Sequence, residues 1–283
     1  MLELLLNPKK AEKRSWQMFF IGFFYSVQAV IVSHLIFGQA ESKYIGIWIV
    51  TFTVILSMPF AYFLFKLEER RDLEYEGAFK VLFEHRKALA ALTWLFIGFL
   101  IGYTLCYMFF SKNYFLPQIE TFCSINRASN YEACVSQYTG QTSISGFSTS
   151  TGRFLGIFTN NMQVLILTFV FSIIFGAGGI FVLAWNATVI ASAIGIYIKS
   201  QINLLPLGLA RYMIHGIPEI ATYLLAALAG GIISMLVLNK DYKDEKFMDI
   251  LQDVLNLIIL AIIILVVAGG IEVFITPKLF SAS

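Results

Sequence analysis

Three ionisable side chains, Arg211, His215 and Glu219, recur at four-residue intervals in "RYMIHGIPEI", with apolar sequence on either side. Four-residue spacing puts side chains on one helix face. A guanidinium, an imidazole and a carboxylate placed that way can move a proton, hold an ion or neutralise one another. At membrane depth each ionisable group costs about 2.5–3.5 kcal/mol to insert, so each one found there calls for a partner. Glu272 in "AGGIEVFITP", Asn186 after "GAGGIFVLAW" and the pair Asn160 and Asn161 are further polar groups among apolar runs. Glu272 is either near an interface or a buried partner of Arg211 or His215. No Ser or Cys nucleophile is visibly paired with His215, so no catalytic constellation is complete. The expectation is a protein without enzymatic activity, metal site or cofactor. Asn186 opens the glycosylation sequon "NAT", but its expected depth argues against use.

Pro218 has no N–H and a fixed φ, which suits the first turn of a helix. Gly216 would end whatever precedes it. The reading is a short helical piece, a break, and a new helix from about Ile217, with Glu219 facing the positive end of its dipole. Broken backbone at membrane depth survives only where protein or water covers it. An interfacial turn is the alternative: Arg211 reaches the head groups and Glu219 caps its own helix. A polar cluster instead requires Glu219 and Glu272 to meet. The last two helices are joined by the short turn "NKDYKDEKFMD". They should therefore be antiparallel neighbours, with both glutamates at one level.

The elements that must hold these groups are membrane helices. Of 283 residues, 58% are hydrophobic and 13% charged, against about 25% charged in soluble domains. A net charge of +2 offers nothing to a nucleic acid. A spanning helix needs about 20 apolar residues. Candidates lie at roughly 16–37, 45–65, 89–110, 162–184, 217–239 and 254–275, with a short one at 187–200. The fold class is an all-α polytopic transmembrane bundle of six or seven spans. The first run is too long for a signal peptide and no small-residue cleavage site follows it, so it reads as a retained helix.

Three segments organise the chain: a three-helix unit at 1–110, a polar loop at 111–153, and the remaining helices at 154–283. Lys and Arg crowd residues 9–14 and 66–87. By the positive-inside rule both segments are cytoplasmic and 111–153 faces outward. Six-span and seven-span versions partition the 20 basic residues equally, so charge cannot choose between them or fix the side of the C-terminus. Residues 66–88 read as an amphipathic helix at the cytoplasmic surface, either solvated or partner-binding. The run "QTSISGFSTSTG" is turn-rich. Cys123 and Cys134 share the outward loop, where an oxidising compartment favours a disulfide; Cys106 is a small apolar-run residue. "AGGI" recurs at 177–180, 229–232 and 268–271. Gly178, Gly179, Gly230, Gly231, Gly269 and Gly270, with Gly98 and Gly102 as a GxxxG, are expected to let helices approach closely.

The runs "NN" at 160–161, "GAGGIFVLAWNATV" at 176–189, "HGIPEI" at 215–220, "LAGG" at 228–231 and "IEVFITP" at 271–277, in this order and spacing, resemble the stage II sporulation protein M family. "NPKKAEKRSWQMFFIGFFYS" and "EHRKAL" at 84–89 look like its archaeal branch. The resemblance implies an integral membrane protein without an established enzymatic activity. The namesake's role beside cell-wall-degrading partners in engulfment does not carry over to an archaeal member. The leading expectation is a non-enzymatic scaffold in the lipid bilayer of the cell membrane, a homodimer through its small-residue faces. The alternative is a transporter or channel-like subunit with a polar site at a broken helix, and an intramembrane lipid-acting enzyme with His215 and Glu219 as acid and base ranks third.

Overall fold

In the computed structural model the described residues are 14–38, 44–72, 81–110, 112–126, 134–135, 150–200, 205–239 and 247–280. After a 3₁₀ turn, Ser15–Gln17, the helices are α1 (Met18–Phe37), α2 (Ile45–Asp72), α3 (Val81–Phe109), α4 (Leu116–Asn126), α5 (Ser150–Phe175), α6 (Gly178–Ser200), α7 (Leu205–Asn239), α8 (Phe247–Gly270) and α9 (Thr276–Phe280). Seven of them, all but α4 and α9, are long and apolar enough to cross a membrane. With seven crossings, residues 14 and 280 lie on opposite faces. The face at residue 14 is termed the near face, and the other the far face.

A helix satisfies its backbone hydrogen bonds within one segment, as lipid requires. The lipid-facing surface shows accordingly in α1, α5 and α8, where Phe24, Leu35, Ile174, Phe175, Ile263 and Val267 are exposed. The spans of α6 and α7 are instead 78% buried within the chain. They form the centre. The α1–α2–α3 unit packs on one side, α5 and α8 pack against α7 on the other, and α6 touches both groups.

Two spans differ from the sequence reading. Residues 162–184 are not one helix, because Gly176 adopts φ +61° and ends α5. Left-handed φ is open to glycine without the Cβ penalty. It lets the chain reverse in two residues, with Ala177 N–H donating to the Phe175 carbonyl at 2.6 Å. The first "AGGI" is thus a turn and the start of α6, and 187–200 is the second half of a full crossing. Residues 66–72 and 81–88 also form no separate surface helix. They extend α2 and α3, with Glu68, Glu69, His85 and Ala88 buried; residues 73–80 lie outside the described part.

Small residues set the closest helix contacts. A Cβ on Gly98 would meet the Phe19 carbonyl, one on Gly102 the Ser26 hydroxyl, and one on Gly22 the Leu95 carbonyl, so α1 and α3 cross backbone to backbone. Gly178 lies against the Phe171 carbonyl and Gly179 against Ser172 and Ala227. Gly230 lies against Ser172 and the Phe169 carbonyl, and Gly231 against the Phe65 ring. The third "AGGI" departs from the expectation. Gly269 has only the Phe154 ring at 3.4 Å and Gly270 has nothing within 4 Å. The reason is position: α8 is peripheral, and no helix presses on it there.

On the far face, α4 packs against α6. Gln118 donates to the Gly46 carbonyl at 3.1 Å, and His34 Nδ1 lies 2.5 Å from the Tyr114 hydroxyl. Cys123 and Cys134 have Cα atoms 5.7 Å apart and sulfurs at bonding distance. Lys199 donates to the Tyr107 carbonyl at 2.8 Å while lying 4.9 Å from the Tyr107 ring centre. It thereby supplies one of the orphan carbonyls at the end of α3. Residues 136–149, most of the Ser/Thr/Gly run, lie outside the described residues.

Gly98→Ala is expected to destabilise the bundle by about 1–3 kcal/mol, because backbone must move to admit the methyl. Gly270→Ala should be neutral within about 0.5 kcal/mol. Denaturation midpoints in mixed detergent micelles would check both; equal effects would mean the α1–α3 crossing is looser than described.

Candidate functional site

The site is built on α7. Contrary to the break read from sequence, α7 runs unbroken from Leu205 to Asn239 with Pro218 inside it. Gly216 is helical, since Gly176 is the positive-φ glycine among the described residues. Pro218 removes one N–H and so frees the Ile214 carbonyl from its usual donor four residues on. Buried surroundings make such a lesion tolerable in a membrane helix. One turn later Thr222 Oγ1 donates to the Glu219 carbonyl at 2.7 Å.

Around this point α5, α7 and α8 bring polar side chains together. Asn161 of α5, 7% exposed, donates its side-chain amide to Glu219 Oε1. Asn160 donates in turn to Asn161 Oδ1 at 3.2 Å. His215 Nε2 stands 4.0 Å from Glu272 Oε1. Glu219 follows His215 by one turn on α7, which sets it beside Glu272. The two glutamates therefore lie at one level, as the antiparallel argument required, and Glu219 caps no helix start, because α7 begins at Leu205. Asn160 and Asn161 do not begin a helix but lie about three turns inside α5. At 1.5 Å per residue, the three positions sit roughly 5–10 Å inside the far ends of their spans.

Glu272 owes its place to a second irregularity. Residues Ile271–Ile275 form a π-helical turn, and Thr276 Oγ1 donates to the Ile271 carbonyl at 3.1 Å. Single π turns inside α-helices recur at functional sites. A proline-interrupted ladder and a π turn thus face each other across the same group of side chains. Two carboxylates in one low-dielectric neighbourhood call for a neutralising partner, and the arrangement can accept a proton or a cation.

One expected member stands elsewhere, and another is not described. Asn186 donates to the Val182 carbonyl of its own helix at 2.8 Å; its amide is committed to α6 because a carbonyl one turn back is the nearest acceptor. Arg211 lies on α7 one turn before His215, but its side chain is outside the described residues. The sequence reading also missed a second polar group at the near face. Glu68 and Glu69 of α2, His85 of α3 and Asn239 of α7 meet there. Cutting the second span at Lys66 concealed it. The pairing argument used for the last two helices, applied to α2 and α3, would have set His85 against Glu68.

The family model for stage II sporulation protein M matches residues 12–277, and the chain belongs to that family. An uncharacterized protein of Methanocaldococcus jannaschii is 37% identical over 133 residues, covering 45% of this chain and 72% of that protein. No solved structure matches.

Removing the Asn161 amide leaves Glu219 without its donor. Asn161→Ala is expected to cost about 1–3 kcal/mol in the native chain. In a Glu219→Gln background the cost should fall by at least about 0.5 kcal/mol, the coupling of directly contacting residues. Additive effects in the double-mutant cycle would show that the two side chains do not interact.

Proposed function

We propose that this chain is a non-enzymatic transporter or channel-like subunit of the cell membrane, and that Glu219, Glu272, Asn161 and His215 bind a proton or a monovalent cation on its way across. The observation that carries this reading is the meeting of two carboxylates inside the bundle, at a proline-interrupted helix and a π turn. Ionisable groups inside a membrane bundle mark ion pathways, and here irregular backbone, the π turn, borders them although α7 itself is continuous. Asn161 and His215 meet the carboxylates directly, as groups that orient and balance charge. A scaffold role rested on the small-residue faces, and six of those eight glycines are occupied by contacts within the chain. A homodimer through them therefore has no support from the packing.

In the proposed orientation the near face is cytoplasmic, following the Lys and Arg of residues 9–14 and 66–87. The far face, with α4 and Cys123–Cys134, then meets an oxidising exterior, which supports a bridge between those cysteines. Closing so short a loop contributes roughly 2–3 kcal/mol in the chain-entropy model. Mass spectrometry of non-reduced peptides from native membranes should find Cys123 and Cys134 linked and Cys106 free. Two alkylated thiols at 123 and 134 would reverse the orientation argument.

Purified protein in liposomes carrying an internal pH dye should pass protons, or sodium or potassium under imposed gradients, faster than empty liposomes. Glu219→Gln and Glu272→Gln should each lower the flux about tenfold or more, as expected when a charge that binds the moving ion is removed. Flux equal to empty liposomes for all three ions would sink the transport reading, and unchanged flux in both variants would move the path away from the cluster.

A further inference from the structure

At the near face a second set of ionisable groups is more deeply enclosed than the first. The side chains of Glu68 and His85 are both 0% exposed, with His85 Nδ1 2.5 Å from Glu68 Oε2. Glu69, also 0% exposed, accepts a hydrogen bond from Asn239 at 3.2 Å. Consecutive residues on a helix point about 100° apart. Glu68 therefore serves α3 while Glu69 serves the end of α7. Three helices meet on these four side chains.

We propose that Glu68 and His85, flanked by Glu69 and Asn239, form a proton-binding site at the near face, distinct from the Glu219–Glu272 cluster. An imidazole is the side chain whose charge changes in the physiological range. Here it lies against one carboxylate, whose neighbour in sequence, Glu69, meets the end of α7 at a three-helix junction. Protonation adds H⁺ to the second ring nitrogen and completes an imidazolium; no bond breaks, and Nδ1–H continues to donate to Glu68. The charged residues on the packed elements at this end are Lys66, Arg70, Arg71 and Asp72 on α2, Glu84, Arg86 and Lys87 on α3, Asp249 and Asp253 on α8, and Arg14 ahead of α1; the side chains of Arg70, Arg71, Asp72 and Glu84 lie outside the described residues. Arg14, Arg86 and Lys87 are exposed, so solvent screens them. A proton is favoured over a metal ion because, among the described residues, no three His, Cys, Asp or Glu are arranged to hold one.

The site is placed to act on α7. That helix carries His215 and Glu219 toward its start and Asn239 at its end. A change of charge at the α2–α3–α7 junction is therefore applied to the near-face end of α7, opposite the end that bears the other cluster.

The chain has three histidines, His34, His85 and His215, so ¹⁵N-histidine labelling gives few imidazole signals. In nanodiscs the signal lost in His85→Gln identifies His85. It should pass reversibly between neutral and charged forms between about pH 5 and 9, and Glu68→Gln should move its midpoint by about one unit or more, whereas Glu219→Gln should not. If Glu68→Gln does not fold, Glu68→Asp is read in the same way. A His85 signal fixed in one form throughout in the native chain, or a midpoint indifferent to residue 68, would overturn the proposal. Neither result depends on ion flux, so the site stands or falls separately from the transport reading.

Discussion

Everything in this bundle answers to one constraint: within the hydrocarbon there is no water to take a hydrogen bond or shield a charge. Apolar residues meet that constraint trivially. Polar ones meet it by turning to a neighbour. Thr53 Oγ1 and the Tyr103 hydroxyl lie 2.5 Å apart between α2 and α3, and Thr168, Thr188 and Ser192 donate to carbonyls of their own helices. The carboxylates have no such local solution, because a helix offers its own side chains no spare donor. They must find partners on other helices, and so they fix which helices are neighbours and at what level.

Close approach supplies the second half of the design. Lipid tails are as apolar as leucine side chains, so helices in a membrane gain little by hiding apolar surface from one another. They gain by fitting backbones together, and glycine permits this at Gly22, Gly98 and Gly102 between α1 and α3 and at Gly178, Gly179 and Gly230 around Ser172. Those contacts surround α6 and α7 with protein. Enclosure in turn lowers the local dielectric at the ends of α7, where both sets of ionisable groups sit. Packing and electrostatics are therefore not independent here: the tighter the helices, the more each buried charge depends on its partner.

Much of this was legible in the sequence, and the failures have physical causes. Long apolar runs announced the spans, and the short link before Phe247 announced that Glu219 and Glu272 share a level. Gly216 followed by Pro218 suggested a broken helix, yet α7 continues through both. Proline and glycine are tolerated inside a membrane helix because flanking helices and local adjustment of the backbone hold the segment and take up the freed groups. Gly176 gave the opposite error. Nothing in "FGAGGIF" says which glycine takes the left-handed conformation, and composition alone runs two helices together. The Glu68–His85 contact was hidden because the hydropathy of a span falls at its first charges, although a helix need not end where its apolar run does.

The π turn at Ile271–Ile275 makes the end of α8 a matter of register. One turn holding an additional residue offsets the residues beyond it by about 100° from an uninterrupted helix. Val273 and Thr276 are buried beyond the start of the turn while Phe274 and Ile275 face outward. Loss of one residue anywhere in those five would restore ordinary helical winding, at no expense in backbone hydrogen bonds, and rotate the flanking faces against each other. The tail of α8 would then keep its helix and its hydropathy yet present a different side to α7. Chain length within this turn, as much as the identity of any residue in it, decides whether a glutamate looks into the bundle or out at lipid.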